Sequence, residues 1–250
     1  MQIVLYALGI LLGLAACLGG APAMAATVTL FDAAGNTLPN AQGWAYASFP
    51  ATTQSVAGGT LNFSTAGSTA TQAGYARADQ SLDTVAGFDL DLVQLTVLSE
   101  SHDNTHRAGF SLIAIGEDPT RSLELAFWSG EVWAYAFTGG AFVHGTGLAL
   151  DTSVAHDYTL RVRNNQWSLR VDGAATSLGG ALVDYTPAAL FIDPYEIPNF
   201  LFFGDDTGSA AAAITLKAVT FSPVPLPATA WLLAFGLLAL LQRARRIPHR

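Results

Sequence analysis

The stretch His156-Asp-Tyr-Thr-Leu-Arg-Val-Arg-Asn-Asn-Gln-Trp-Ser-Leu-Arg-Val-Asp-Gly173 reads as a strand, a reversal and a second strand. Along Tyr158 to Val162 the apolar residues alternate with polar ones. Because side chains on a strand point to opposite faces in turn, Tyr158, Leu160 and Val162 fall on one face, with Thr159 and Arg161 on the other. Arg161 and Arg170 are expected to project into solvent. Asn164-Asn165 supplies residues that tolerate a tight reversal, and Asp172-Gly173 ends the second strand with another. The pattern is that of an antiparallel hairpin with one buried face.

The same punctuation recurs outward from this hairpin. A second hairpin joins Leu123-Glu-Leu-Ala-Phe-Trp128 to Val132-Trp-Ala-Tyr-Ala-Phe137 through a three-residue connection, Ser129-Gly130-Glu131. No long helical period occurs between residues 27 and 221, and runs of alternating, β-branched or aromatic residues are separated by Gly, Asn, Asp and Pro. Strands are predicted at 28–31, 43–49, 60–64, 73–78, 88–98, 108–115, 122–128, 132–137, 158–162, 167–171, 200–203 and 214–221. Short strands at this spacing predict two packed antiparallel sheets.

The opening hairpin, together with Phe200-Leu-Phe-Phe-Gly-Asp-Asp-Thr-Gly208 and a last strand from Ala213 to Phe221 placed to pair near the first, resembles the concanavalin A-like or laminin-G-like jelly roll. The resemblance covers roughly residues 27–221 and implies an all-β, two-sheet antiparallel sandwich with adhesive or structural work.

The two ends of the chain predict its route. Residues 3–16 form an apolar core, and Ala23-Met24-Ala25 offers the small residues of a cleavage site, so cleavage after Ala25 is expected, although residues 1–25 contain no Lys or Arg. Leu14-Ala15-Ala16-Cys17 resembles a lipobox and offers lipidation at Cys17 as the alternative. At the other end, Ala228 to Leu241 is 14 uncharged residues, a helix of about 21 Å against a bilayer core of about 30 Å. Arg243, Arg245 and Arg246 follow it and would hold that end in the cytoplasm, leaving the preceding chain outside. Val224-Pro225-Leu226-Pro227-Ala228, the short apolar helix and the arginines together resemble the VPLPA form of the PEP-CTERM sorting signal. That resemblance implies a Gram-negative host, an exosortase that cuts near the Pro-rich motif, and an inner-membrane intermediate; a one-pass anchor that stays is the alternative. The expected organisation is therefore a signal peptide helix in 1–25, an exported sandwich in 26–222, and a sorting signal with a single transmembrane helix in 223–250.

Composition narrows the partners. Cys17 is the one cysteine, so the exported part has no disulfide and depends on core packing. Residues 26–222 hold seven basic and nineteen acidic residues, a formal charge of −12 that repels phosphate backbones and argues against nucleic acid. Divalent cations and neutral sugars are compatible with it.

Four groups carry the candidate chemistry. Asp89 and Asp91 share a strand face, but the Glu-x-Asp-x-x-Glu strand of sandwich glucanases is absent, so an acidic solvent face is expected and no catalytic residue is assigned. His102, Asp103, Asn104 and His106 form the densest polar cluster, in a segment expected to be a loop, and are candidate ligand-binding residues. Trp128 and Trp133 join them, because Trp44, Trp128, Trp133 and Tyr135 could form an aromatic platform that stacks on sugar rings, against the alternative that all four fill the core. Asp205 and Asp206 could offer oxygens to Ca²⁺, although no cofactor is required.

The expectation is an exported, non-enzymatic surface or matrix protein, with signal peptidase and exosortase as processing partners. The alternative is a lectin-like module that binds exopolysaccharide or another glycan, with or without Ca²⁺, and a glycan hydrolase is the third reading.

Overall fold

The computed structural model describes residues 26–188, 190 and 193–224. The signal peptide and nearly all of the sorting signal, with their expected helices, lie outside these residues, and among the described residues no helix is long and apolar enough to cross a membrane.

Sixteen strands are described: β1 (Val28–Asp32), β2 (Ala45–Phe49), β3 (Thr53–Ala57), β4 (Thr60–Ser64), β5 (Gln72–Arg77), β6 (Phe88–His102), β7 (Ser111–Ile115), β8 (Ser122–Trp128), β9 (Glu131–Thr138), β10 (Ala141–Ala149), β11 (His156–Arg163), β12 (Gln166–Val171), β13 (Ala174–Ala181), β14 (Leu201–Asp205), β15 (Ala210–Leu216) and β16 (Ala218–Pro223). They form two antiparallel sheets. One runs β13-β12-β11-β6-β15-β4-β3, with β16 also on β6 and β1 on β16; the other runs β10-β9-β8-β7-β14-β5-β2. The last strand does pair with the first, Val28 opposite Phe221.

Alternation explains how the sheets meet. On β8, Leu123, Leu125 and Phe127 enter the core between the sheets, where they meet Tyr158, Leu160, Val162 and Trp167 from the other sheet. The intervening Ala126, with Ile113, Trp133, Tyr135 and Phe142, forms a second cluster on the outer face of the seven-stranded sheet. A strand apolar on both faces is one covered on both.

Several expectations are corrected in detail. The hairpin connection after β8 is two residues, Ser129-Gly130, because Trp128 pairs directly with Glu131. The final predicted strand is two, β15 and β16, which meet at Lys217 and pair with successive parts of the same edge of β6. They part where β6 itself is irregular: Gln94 takes a left-handed φ of 52° and its N–H turns to Asp157. β6 runs on to His102, so that histidine ends a strand rather than sitting in a loop. β3, β10 and β13 were not expected. Arg161 lies back over the sheet, both its Nε and Nη2 bonded to Asp89 at 3.1 Å.

Candidate functional site

The register of the seven-stranded sheet lines up small side chains across its outer face. Ala47 is opposite Gly74, Gly74 opposite Gly204, Gly204 opposite Ser111 and Ser111 opposite Ala126, and the row ends against Trp133. At a strand spacing of about 4.8 Å the row from Ala47 to Ala126 spans about 19 Å. The neighbouring row carries Phe202, Ile113 and Glu124, and the result is a trough with one raised side. Gly74 is required here: a Cβ on it would meet the Phe202 ring at 2.3 Å, so its absence lets that ring lie flat across the strand.

Over the trough opens a cleft of about 410 Å³, lined by Phe49, Gly74, Ile113, Phe202, Tyr195 and Asp206. A second cleft of about 370 Å³, lined by Arg107, Phe142, Thr207 and Gly208, shares Gln72, Leu190, Tyr195 and Asp206 with the first. Both have the size of ligand pockets. Phe49 stands on the rim with 77% of its surface exposed, which leaves an aromatic face free.

Part of the segment between β13 and β14 crosses this face. Val183 bridges to Ser122, Tyr185 donates to the carbonyl of Tyr135 at 2.8 Å, and the Tyr195 hydroxyl donates to Glu124 Oε2. The first turn of the short helix Pro194–Glu196 is fixed by Asp193, whose Oδ1 accepts from Tyr195 N–H.

Beneath the tyrosines the face is polar. Ser111 Oγ, Glu124 Oε1, Trp133 Nε1, Tyr135 OH and Asp206 Oδ1 are buried without a hydrogen-bond partner among the described residues. Buried polar groups are normally paired, and these five gather on one face, with Asp206 alone among their residues lining the clefts. Glu124 is fully buried, and burial, followed by the charge of Asp206, pushes its carboxyl well above the usual range against the pull of Tyr195 and Arg107. Burial likewise raises Asp206, opposed by Arg107. Of these two acids, Asp206 lines both clefts, and Glu124 lies buried beneath Tyr195. Arg107 lies between aromatic rings, its guanidinium carbon 5.9 Å from the Tyr135 centroid and 5.5 Å from that of Phe142.

The residues singled out in the sequence divide. His102 and Trp128 are brought together, their rings stacked at 4.3 Å, with His102 Nδ1 2.8 Å from Glu100 Oε1. Trp128 Nε1 donates to the carbonyl of Arg107 at 2.8 Å, so this stack braces the arginine. Trp133 is fully buried and stacks on His144 at 4.3 Å. Both tryptophans thus present a ring face to an imidazole, and Trp44, buried with its Nε1 on the carbonyl of Leu30, is core. Asp103 accepts from Thr69, and Asn104 bonds to Ser209 and to His106 N–H, contacts that tie the segment to the neighbouring loops at Thr69 and Ser209.

Asp205 and Asp206 do not converge on a cation. Asp205 accepts from Thr65 of the other sheet at 2.7 Å and from Thr207 N–H, and burial pushes it up to about 8, while Asp206 faces the clefts. Adjacent residues at the end of a strand diverge, and a carboxyl that keeps its proton is a poor ligand for a hard cation. Among the described residues no group of three or more His, Cys, Asp or Glu is placed to hold a metal ion. Asp89 binds Arg161 and Arg163, and Asp91 accepts from Thr159 and Thr220, so the acidic face of the other sheet is internally committed.

Phe49, Arg107 and Glu124 were missed. Glu124 carried a signal, a lone acid inside the apolar run Leu123 to Trp128, and Arg107 directly follows the polar cluster that ends at His106. Nothing local distinguished Phe49.

Fold and site together define a jelly-roll-like sandwich with a cleft on one outer sheet face. No protein-family model matches the chain, and no curated protein matches it. Among solved structures, it is similar to the carbohydrate esterase vb_24B_21 from Shiga toxin-encoding bacteriophage phi24B, at TM-score 0.56 and 10% identity over 79% of this chain and 99% of that one. A prokaryotic β-1,3-1,4-glucanase (lichenase) derived from a mouse hindgut metagenome matches at TM-score 0.46 and 11% identity, over 80% and 100% of the two chains. The alginate lyase A1-II′ matches at TM-score 0.42 and 13% identity, over 71% and 86%. At these identities the likeness is one of fold. The expectation of a non-enzymatic domain is withdrawn, since the solved structure matched at TM-score 0.56 is that of a carbohydrate esterase.

Proposed function

We propose that the chain delivers a carbohydrate-binding β-sandwich to the cell surface or extracellular matrix, and that the glycan lies along the trough of the seven-stranded sheet. The carrying observation is the row from Ala47 to Ala126 beneath the exposed ring of Phe49, with Gln72, Tyr195 and Asp206 lining the cleft above it. Sugars present apolar faces to aromatic rings and hydroxyls to polar atoms, and this cleft offers both. Export through the signal peptide and processing by an exosortase at Val224 to Ala228 belong to the same reading, supported by the sequence pattern alone.

A second reading, glycan cleavage, is favoured by the two buried acids Glu124 and Asp206 beside the cleft. The experiment is a glycan array with and without a calcium chelator, followed by reducing-sugar release from each bound glycan. Binding that survives the chelator and is lost in Phe49→Ala, with thermal stability unchanged, is the expected result. Binding to no glycan would sink the proposal. Sugar release lost in Asp206→Asn would convert binding into catalysis.

A further inference from the structure

Arg107 is set apart by how its charge is met. Of the other arginines among the described residues, Arg77 pairs with Asp79, Arg161 and Arg163 pair with Asp89, Arg170 bonds to the carbonyl of Gly173, and Arg121 is exposed and lines neither cleft. Arg107 lines the second cleft, stacks on Tyr135 and Phe142, and makes no ion pair among the described residues. Its guanidinium is a fork of N–H donors matched to a carboxylate.

We propose that this end of the site selects acidic sugars: the glycan carries a uronate whose carboxylate is held by Arg107 while the chain continues along the trough past Phe202 and Phe49. The inference rests on the glycan-binding reading and adds the chemical class of the ligand. The titratable groups that face Arg107 are Asp206 after β14, Glu124 on β8, Tyr135 on β9 and Tyr195 on the crossing segment. Burial raises all four, and Arg107 opposes that shift in Glu124, Tyr135 and Asp206. The domain's formal charge of −12 opposes a polyanion at long range, but that repulsion is screened over about 8 Å at physiological salt, whereas a contact in a half-buried cleft is screened far less. A single uronate contact therefore outweighs it.

The test compares oligogalacturonate and oligomannuronate with their methyl esters by titration calorimetry. The ester is the same sugar without the charge. The wild type is expected to bind at least one acid about tenfold or more tightly than its ester, the range of a charge-assisted hydrogen-bonded pair. Arg107→Gln is expected to abolish the preference while leaving ester affinity in place, and Arg107→Lys to restore part of it. Equal binding of acid and ester by the wild type, or a preference that survives Arg107→Gln, overturns the proposal. If only neutral glycans bind on the array, the acidic-sugar inference falls and the glycan reading stands; if no glycan binds, both fall. Thermal melting of each variant separates lost recognition from lost folding.

Discussion

At the scale of single residues, acids of the same type do opposite work according to burial. Asp89 lies half-exposed on the nine-stranded sheet and holds two arginines, an arrangement worth about 1 kcal/mol or less at a surface. Asp89→Ala is therefore expected to lower the urea midpoint by a corresponding small amount and to leave glycan binding untouched. Asp205 is buried and raised to about 8 from 3.8, chiefly by desolvation. In the unfolded chain it would ionise near pH 4 while the folded chain still keeps its proton, so its contribution is fully present below about pH 4 and is lost progressively as pH rises to about 8. Glu100, Glu124 and Asp206 are shifted the same way. The melting temperature should consequently fall across that window, and Asp205→Asn should flatten the fall; a melting temperature that rises with pH would refute the assignment.

At the scale of elements, two-residue turns set the register. Gly139-Gly140 between β9 and β10 takes φ of 63° and 82°, Asn164-Asn165 takes 52° and 58°, and Asp172-Gly173 takes 51° and 76°. Two left-handed residues in succession match the twist of the strands they join. Replacing Gly139 and Gly140 by alanines should cost about 1–2 kcal/mol per residue, since a Cβ is disfavoured in that region, measurable by chemical denaturation. Gly58-Gly59 and Gly139-Gly140 were the available sign of β3 and β10, whose own sequences are too polar or too rich in glycine to announce a strand. Gly74 on β5 makes a different prediction. Gly74→Leu must displace the ring of Phe202 and fill the trough, so glycan affinity should fall by more than about tenfold in the same array that detects wild-type binding.

For the whole molecule, stability rests on apolar residues packed between two sheets, because a domain without cysteines has no covalent staple. Leu125 is fully buried between β7 and β9, and Leu125→Ala should cost about 2–5 kcal/mol in urea denaturation without altering the outer face. Export is tested separately from the fold: intact mass of the mature protein from an exosortase-bearing host should lack Arg250, and its retention would favour the permanent anchor.

The amino-acid sequence alone determined the fold class, since alternation at Tyr158, Leu160 and Val162 demands a sheet with one buried face wherever it recurs. It also pointed to Asp206 and to the polar segment from His102 to His106, without the neighbours that surround them. Tertiary structure decided the rest, for a physical reason. The trough is a row across strands, in which Ala47, Gly74, Gly204, Ser111 and Ala126 are neighbours through hydrogen-bonded register although they are far apart along the chain. Whether Glu124 sheds its proton, and whether Arg107 finds an acid to cancel it, depends on burial that only the folded chain creates.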